Sequence, residues 1–210
     1  MLTVRRLPAS ATTALTATRV GDYQASGEPR RAVNGFWDDN GRGVTFTIAP
    51  LDDPMPAPGT MTGQLFHIDT FSWDINRAAG LTSYNGKEKG VLAMRSGTAT
   101  AVPYSNTFSP TEWAGTWDVN HDGWRGVMTL GVTATSSGFT LSGSYLPTGS
   151  TTVQAVTGTL RPGSEQVASL TVRGNEVRTY TVAYHAWEDR RAAGNEVYSG
   201  ARYGAEFVRR

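Results

Sequence analysis

The chain has 210 residues, with 19 Lys and Arg against 18 Asp and Glu and no cysteine, which excludes disulfides, iron–sulfur clusters and thiolate zinc sites. Its 24 Gly, 10 Pro, 6 Trp, 8 Tyr and 7 Phe mark a turn-rich chain with apolar material for one large domain or two small ones, and the low charge excludes a disordered one. No apolar run reaches the roughly 20 residues of a membrane-spanning helix and no basic run stands out, so neither a membrane nor a nucleic-acid partner is expected.

In chain order, Arg5-Arg6 precede the small-residue stretch Pro8 to Thr18, where Leu15 is the one large apolar residue. That is a poor core for a signal peptide, so the N-terminus reads as mature and a cytoplasmic location is favoured. Period-two alternation then marks strands at Val44–Ile48, Val127–Val132, Phe139–Gly143, Val167–Val172 and Tyr180–Tyr184. Leu51–Pro58, with three Pro and two Asp, reads as a loop or a sheet edge. Turns are expected at Asn40-Gly41, Asn85-Gly86, Asp122-Gly123, Ser137-Gly138, Pro162-Gly163 and Gly174-Asn175. Nothing has a sustained helical period; Trp73–Ala79 and Trp187–Ala193 read as one short helical loop used twice. Strands at regular spacing without helices predict an all-β sandwich or antiparallel barrel.

The chain repeats itself. Trp73, Arg77, Ala78, Ala79, Gly80, Tyr84, Gly86, Gly90 and Arg95 recur without a gap as Trp187, Arg191, Ala192, Ala193, Gly194, Tyr198, Gly200, Gly204 and Arg209, at an offset of 114. Gly35, Trp37, Asp38, Asn40 and Gly63 recur as Gly115, Trp117, Asp118, Asn120 and Gly143, at an offset of 80. The change of offset places about 34 extra residues, a strand pair or more, between Gly143 and Trp187 in the second copy. Thr16–Val20 against Thr98–Val102 suggests that each copy opens with an extended segment. The expected organisation is two unequal tandem β repeats, 1–97 and 98–210, forming two barrels or one joint barrel.

Gly115-Thr-Trp117, Leu141-Ser-Gly-Ser-Tyr145, Val156-Thr-Gly-Thr-Leu160, Thr181-Val-Ala-Tyr184 and Tyr198-Ser-Gly200 resemble, in order, the strand motifs of avidin and streptavidin within the calycin group. The resemblance covers roughly 114–208 and implies an eight-stranded up-and-down barrel with a ligand pocket. It would place Tyr145 in that pocket as the third-strand Tyr. Tyr184 stands where the family has a pocket Trp, and Gly194 and Glu196 stand where it has two hydroxyls, so biotin is not the expected ligand. The chain also ends before the family's final strand, which predicts an open edge that the first repeat or a neighbour must cover.

The expected ligand-binding residues are therefore Tyr145, Tyr184, Trp187, Trp73 and Glu196, with no catalytic residue assigned. Trp37 and Trp117 read as core plugs, because an indole buries around 200 Å². Trp73 and Trp187 each precede an Arg by four residues, a spacing that suits either packing or a cation–π contact. Asp118-Val-Asn120-His-Asp122-Gly123 has oxygen ligands spaced like a calcium loop, but the twelfth position is Thr129 rather than Glu, and a hairpin at Asp122-Gly123 explains the string without metal. His67, His121 and His185 lack metal-pair spacing. Asp74, Glu188, Asp189 and Glu196 read as surface carboxylates, with an acid pair for hydrolysis as the alternative. No cofactor is expected.

Three functions compete: a non-catalytic binding module for a small molecule or protein partner, a small-barrel enzyme of cyclase or hydrolase type, and an assembly protein forming homo-oligomers through open strand edges. Inward charge on the strands, at Arg178 or Glu206, would favour chemistry or a polar ligand.

Overall fold

A computed structural model describes residues 2–4, 18–25, 27–38, 42–52, 63–74, 76–94, 108–185 and 190–210. The expected turn at Asn40-Gly41, most of the Leu51–Pro58 loop, the extended segment 98–102 and the repeat boundary at 97/98 lie outside them. The fold is all-β. Strands β1 (Leu2–Val4), β2 (Thr18–Tyr23), β3 (Arg31–Trp37), β4 (Gly43–Ala49), β5 (Leu65–Thr70), β6 (Arg77–Tyr84) and β7 (Lys87–Met94) form a seven-stranded meander in chain order. A 3-10 turn, Pro110–Trp113, leads into β8 (Gly115–His121), β9 (Trp124–Thr135), β10 (Gly138–Pro147), β11 (Gln154–Arg161), β12 (Ser164–Arg173), β13 (Val177–Tyr184), β14 (Arg191–Tyr198) and β15 (Ala201–Arg209). These eight strands close into an antiparallel barrel. By packing, the chain divides into one unit of residues 1–67 and 82–86 and a second of 68–81 and 87–210.

The open edge expected of the barrel is not there. Ala201–Arg209 is the closing strand, and it pairs with β8 from Ala205↔His121 to Arg209↔Trp117. Sequence patterning misses it because Ala205 and Phe207 face the core while Gly204 and Glu206, on the other face, are buried as well. The same physics overturns the helical loop expected at Trp73–Ala79 and Trp187–Ala193. Arg77–Ala79 opens β6 and Arg191–Ala193 opens β14. Both Ala-Ala-Gly runs are buried on both faces, and a doubly buried strand loses its alternation.

The repeat is visible in the elements. β6 and β14, and β7 and β15, begin 114 residues apart. The extra residues of the second copy include the β11–β12 pair. The hairpins at Asn85-Gly86, Asp122-Gly123 and Ser199-Gly200 have positive φ at both central residues, the type I′ geometry that matches strand twist.

Inside the barrel, Trp117, Val119, Met128, Leu130, Leu141, Val156, Leu160, Leu170, Val172, Val182 and Phe207 form one core. One end is stoppered by aromatic rings. Trp113 lies 5.5 Å from Trp117 and 4.7 Å from Tyr184, centroid to centroid. Their polar atoms are satisfied locally: Trp113 Nε1 donates to the Glu165 carbonyl (3.0 Å), Trp117 Nε1 to the Trp113 carbonyl (3.1 Å) and the Tyr184 hydroxyl to the Glu112 carbonyl (2.7 Å). Trp117 is thus the plug expected of it.

On the outer face of β13 to β15, the second unit shows a relation that duplication makes possible. Gly90 lies against the backbone of Ala183 and Ala193 and bridges to His185. Its repeat counterpart Gly204 lies against the Asp69 carbonyl and the Phe71 ring, and Asp69 and Phe71 are the counterparts of Ala183 and His185. Ala79 and Ala193, counterparts of one another, share an apolar cluster with Phe71 and Leu92. Residue i meets j while the copy of j meets the copy of i, which is the rule of an isologous dimer interface written within one chain. Asn195 donates to Asp69, and Arg77 and its counterpart Arg191 each donate to one oxygen of Glu206, Arg191 at 2.7 Å. Arg77 also pairs with Asp74 at 3.1 Å.

Two tests follow from this face. Gly90→Ala and Gly204→Ala each place a Cβ where backbone or ring already stands and lower unfolding free energy by about 1–3 kcal/mol, whereas Gly131→Ala, whose nearest neighbour is Ser142 O at 3.7 Å, changes it by less than ~0.5 kcal/mol; urea titration reads all three. His185 is the second. Burial first, and Arg191 beside it, lower its pKa from 6.5 to about 4, so the unfolded chain takes up a proton that the folded chain refuses. Stability is full above pH 6.5 and falls as the pH drops from 6.5 toward 4, by about 3 kcal/mol. His185→Phe, which installs the residue of its counterpart Phe71, flattens that limb in urea titrations across the pH series.

Candidate functional site

The hairpins β8–β9, β10–β11, β12–β13 and β14–β15 share the barrel end opposite the aromatic stopper, here termed the mouth. Just inside it the strands present polar side chains. Alternation along β8 carries Trp117, Val119 and His121 inward, and along β13 it carries Tyr184, Val182, Tyr180 and Arg178 inward. Tyr145 comes from β10, the third strand of the barrel, and Glu196 from β14. The sequence reading named Tyr145 and Glu196, and the structure brings them together around His121.

Glu196 is fully buried, and three hydrogen bonds hold the group together. Its Oε1 accepts from Arg178 Nη1 (2.7 Å), its Oε2 faces His121 Nδ1 (3.0 Å), and His121 Nε2 faces the Tyr145 hydroxyl (2.9 Å). Arg178 Nη1 also stands 3.3 Å from His121 Nδ1. A guanidinium can only donate, and so can a protonated Nδ1. The carboxylate is the stronger acceptor, which puts the Nδ1 proton on the Glu196 side.

Electrostatics follows from this geometry. Burial alone pushes the Glu196 carboxyl up, but the hydrogen bonds and charges of His121 and Arg178 outweigh it and hold the group below its ordinary range. Burial pushes the Tyr145 phenol up to about 12, with Arg178 opposing and Glu196 reinforcing. Burial, then the Glu196 charge, also push the Tyr180 phenol well up. Tyr180 is 2% exposed, and its hydroxyl is buried without a hydrogen-bond partner. It packs edge-on against His121 and Phe207, at 5.8 Å from each. Arg178 alone reaches solvent, with 23% of its side chain exposed, and its guanidinium lies 4.1 Å above the Tyr198 ring. The Tyr198 hydroxyl donates to Glu176.

The remaining sequence candidates stand elsewhere. Tyr184 belongs to the stopper, at the end away from Tyr145. Trp187, with Glu188 and Asp189, lies outside the described residues. Trp73 is 74% exposed and meets the Trp124 ring edge-on at 6.3 Å. Asp118, Asn120 and Asp122 run along extended β8 into its hairpin rather than around a loop. Asp118 binds Arg210 (2.6 Å), Asp122 accepts from the Ser72 amide, and no His, Cys, Asp and Glu cluster fit for a metal occurs among the described residues. Of the two charges singled out, Arg178 faces inward and Glu206 outward. His121 and Tyr180 were missed, though counting inward by twos from Trp117 and Tyr184 would have found both.

No protein-family model matches the chain, and no curated protein matches it.

Breaking the network from its buried member is costly. Glu196→Gln leaves the Arg178 charge and His121 without their anion and lowers stability by about 2–4 kcal/mol, while Tyr198→Phe, at the solvent edge, lowers it by less than ~0.5 kcal/mol; thermal and urea unfolding followed by circular dichroism measure both.

Proposed function

We propose that the chain is a non-catalytic binding module with a calycin-type, avidin-like second half, taking a small molecule other than biotin at the mouth of its barrel. One observation carries this: an ion-paired polar cluster, with an unpartnered Tyr180 hydroxyl in it, inside one end of a barrel whose other end is filled by aromatic rings. Buried ions rarely pay in stability against apolar packing of the same volume, and an orphaned buried hydroxyl costs about 1–3 kcal/mol. Both are the kind of local expense that function explains. The position of Tyr145 on the third barrel strand also agrees with the avidin resemblance. The cluster suits a compact ligand with a hydrogen-bond acceptor for Tyr180 and the outward donors of Arg178.

The second reading is a small-barrel enzyme, favoured by His121 standing between a carboxylate and a phenol as a general base would. Assembly through an open barrel edge loses its motive in the second repeat, whose edge is paired.

A thermal-shift screen of small hydrogen-bonding and hydrophobic molecules, with biotin and calcium included, tests the proposal. Some compound other than biotin should raise the melting temperature, with Tyr180→Phe and Tyr145→Phe each weakening it about three- to tenfold in calorimetry and the compound recovered unchanged by NMR. Conversion of the compound would move the assignment to the enzyme reading; a screen in which nothing raises the melting temperature removes the binding proposal.

A further inference from the structure

Among the described residues of 108–185 and 190–210, the large apolar side chains that are exposed are Trp124, Leu146, Val153, Val177 and Val197. All five sit at the mouth: Trp124 opens β9, Leu146 and Val153 flank the β10–β11 connection, Val177 opens β13 and Val197 lies just before the β14–β15 turn. Trp73 adds a second indole beside Trp124, held there by Trp73 N donating to the Asp122 carbonyl (3.2 Å). The exposed charges of these same hairpins are Arg125, Arg173 and Arg202 against Glu176. The Thr148–Thr152 segment of the β10–β11 connection, Thr-Gly-Ser-Thr-Thr, has no charge to desolvate.

We infer that the mouth rim docks the protein on an anionic lipid surface. The apolar side chains are spread over all four hairpins of the mouth, so a solid partner would need a matching socket at each, whereas a fluid interface accepts them all. Indoles favour the headgroup level of a bilayer. The arginine excess lies at the same end of the barrel as the apolar tips, and apolar insertion plus attraction to acidic headgroups is how peripheral proteins bind. Among the described residues no helix is long and apolar enough to cross a membrane. This inference is independent of the small-molecule reading, because it rests on the outer rim and not on the Glu196 cluster.

The test is sedimentation of the full chain with vesicles of phosphatidylcholine alone or with roughly one-third phosphatidylglycerol, followed by tryptophan emission. The protein should pellet with the anionic vesicles, shift its emission to the blue, and be released by salt. Arg125→Gln should weaken partitioning about fivefold, and Trp124→Ser and Val153→Ser should weaken it at unchanged melting temperature. Ser137→Glu, which removes the same net charge at the opposite end, should leave it unaltered. The inference is overturned if the protein stays in the supernatant of anionic vesicles at low salt, if Ser137→Glu weakens binding as much as Arg125→Gln, or if ultracentrifugation finds a dimer that Trp124→Ser dissolves. Ligand-induced thermal shifts in Trp124→Ser separate the two proposals, since rim loss leaves them intact.

Discussion

The ladder between β15 and β8 is the constraint on which the barrel depends. Five residue pairs, Ala205↔His121 through Arg209↔Trp117, join the last strand of the chain to the first strand of the second half. Without that ladder, eight strands would form an open sheet with two edges to protect. With it, every strand acquires an inside and an outside. The inside of an eight-stranded barrel is just wide enough to be filled by side chains or to hold one small ligand. The aromatic stopper, the buried ions and the ring of exposed apolar tips are all consequences of which face and which end each residue then occupies.

The outside of the barrel is not uniformly wet. Along β14 and β15 it is buried by strand segments of the first repeat that belong to the same packing unit, and the contact obeys a twofold rule between copies. Small residues make it possible: Gly90, Gly204, Ala79 and Ala193 let backbones approach where any larger side chain would collide. Where the symmetry is broken, chemistry appears. Glu206 gathers the counterpart arginines 77 and 191, whereas its own counterpart, Leu92, packs against the apolar cluster. The Arg-Ala-Ala-Gly repeat thus records a packing device and not a binding motif.

At the mouth the balance is different. Glu196 is stabilised by two hydrogen-bonded cationic or potentially cationic neighbours, and the low dielectric that makes those bonds strong makes each indispensable to the others. The polar interior at this end and the apolar stopper at the other make the barrel electrically one-sided, and the same end carries the exposed arginines and apolar tips.

How much of this the sequence held can be argued residue by residue. Strands that bury one face were legible: Val127–Val132 and Val167–Val172 alternate as a half-buried strand must. So were the duplication, the turns at Asn85-Gly86 and Asp122-Gly123, and Trp117 as a plug. β6, β14 and β15 were not, because burial on both faces erases the period. Tyr145 and Glu196 were named from resemblance, but their partnership through His121 depends on barrel register, which no local pattern encodes. Arg125, Arg173 and Arg202 lie tens of residues apart and cancel against acids in the net charge, so only closure of the barrel brings them to one rim. The sequence by itself determined the period, the turns and the repeat, which are short-range; the tertiary structure decided which charges meet, because that depends on ladders between strands distant along the chain.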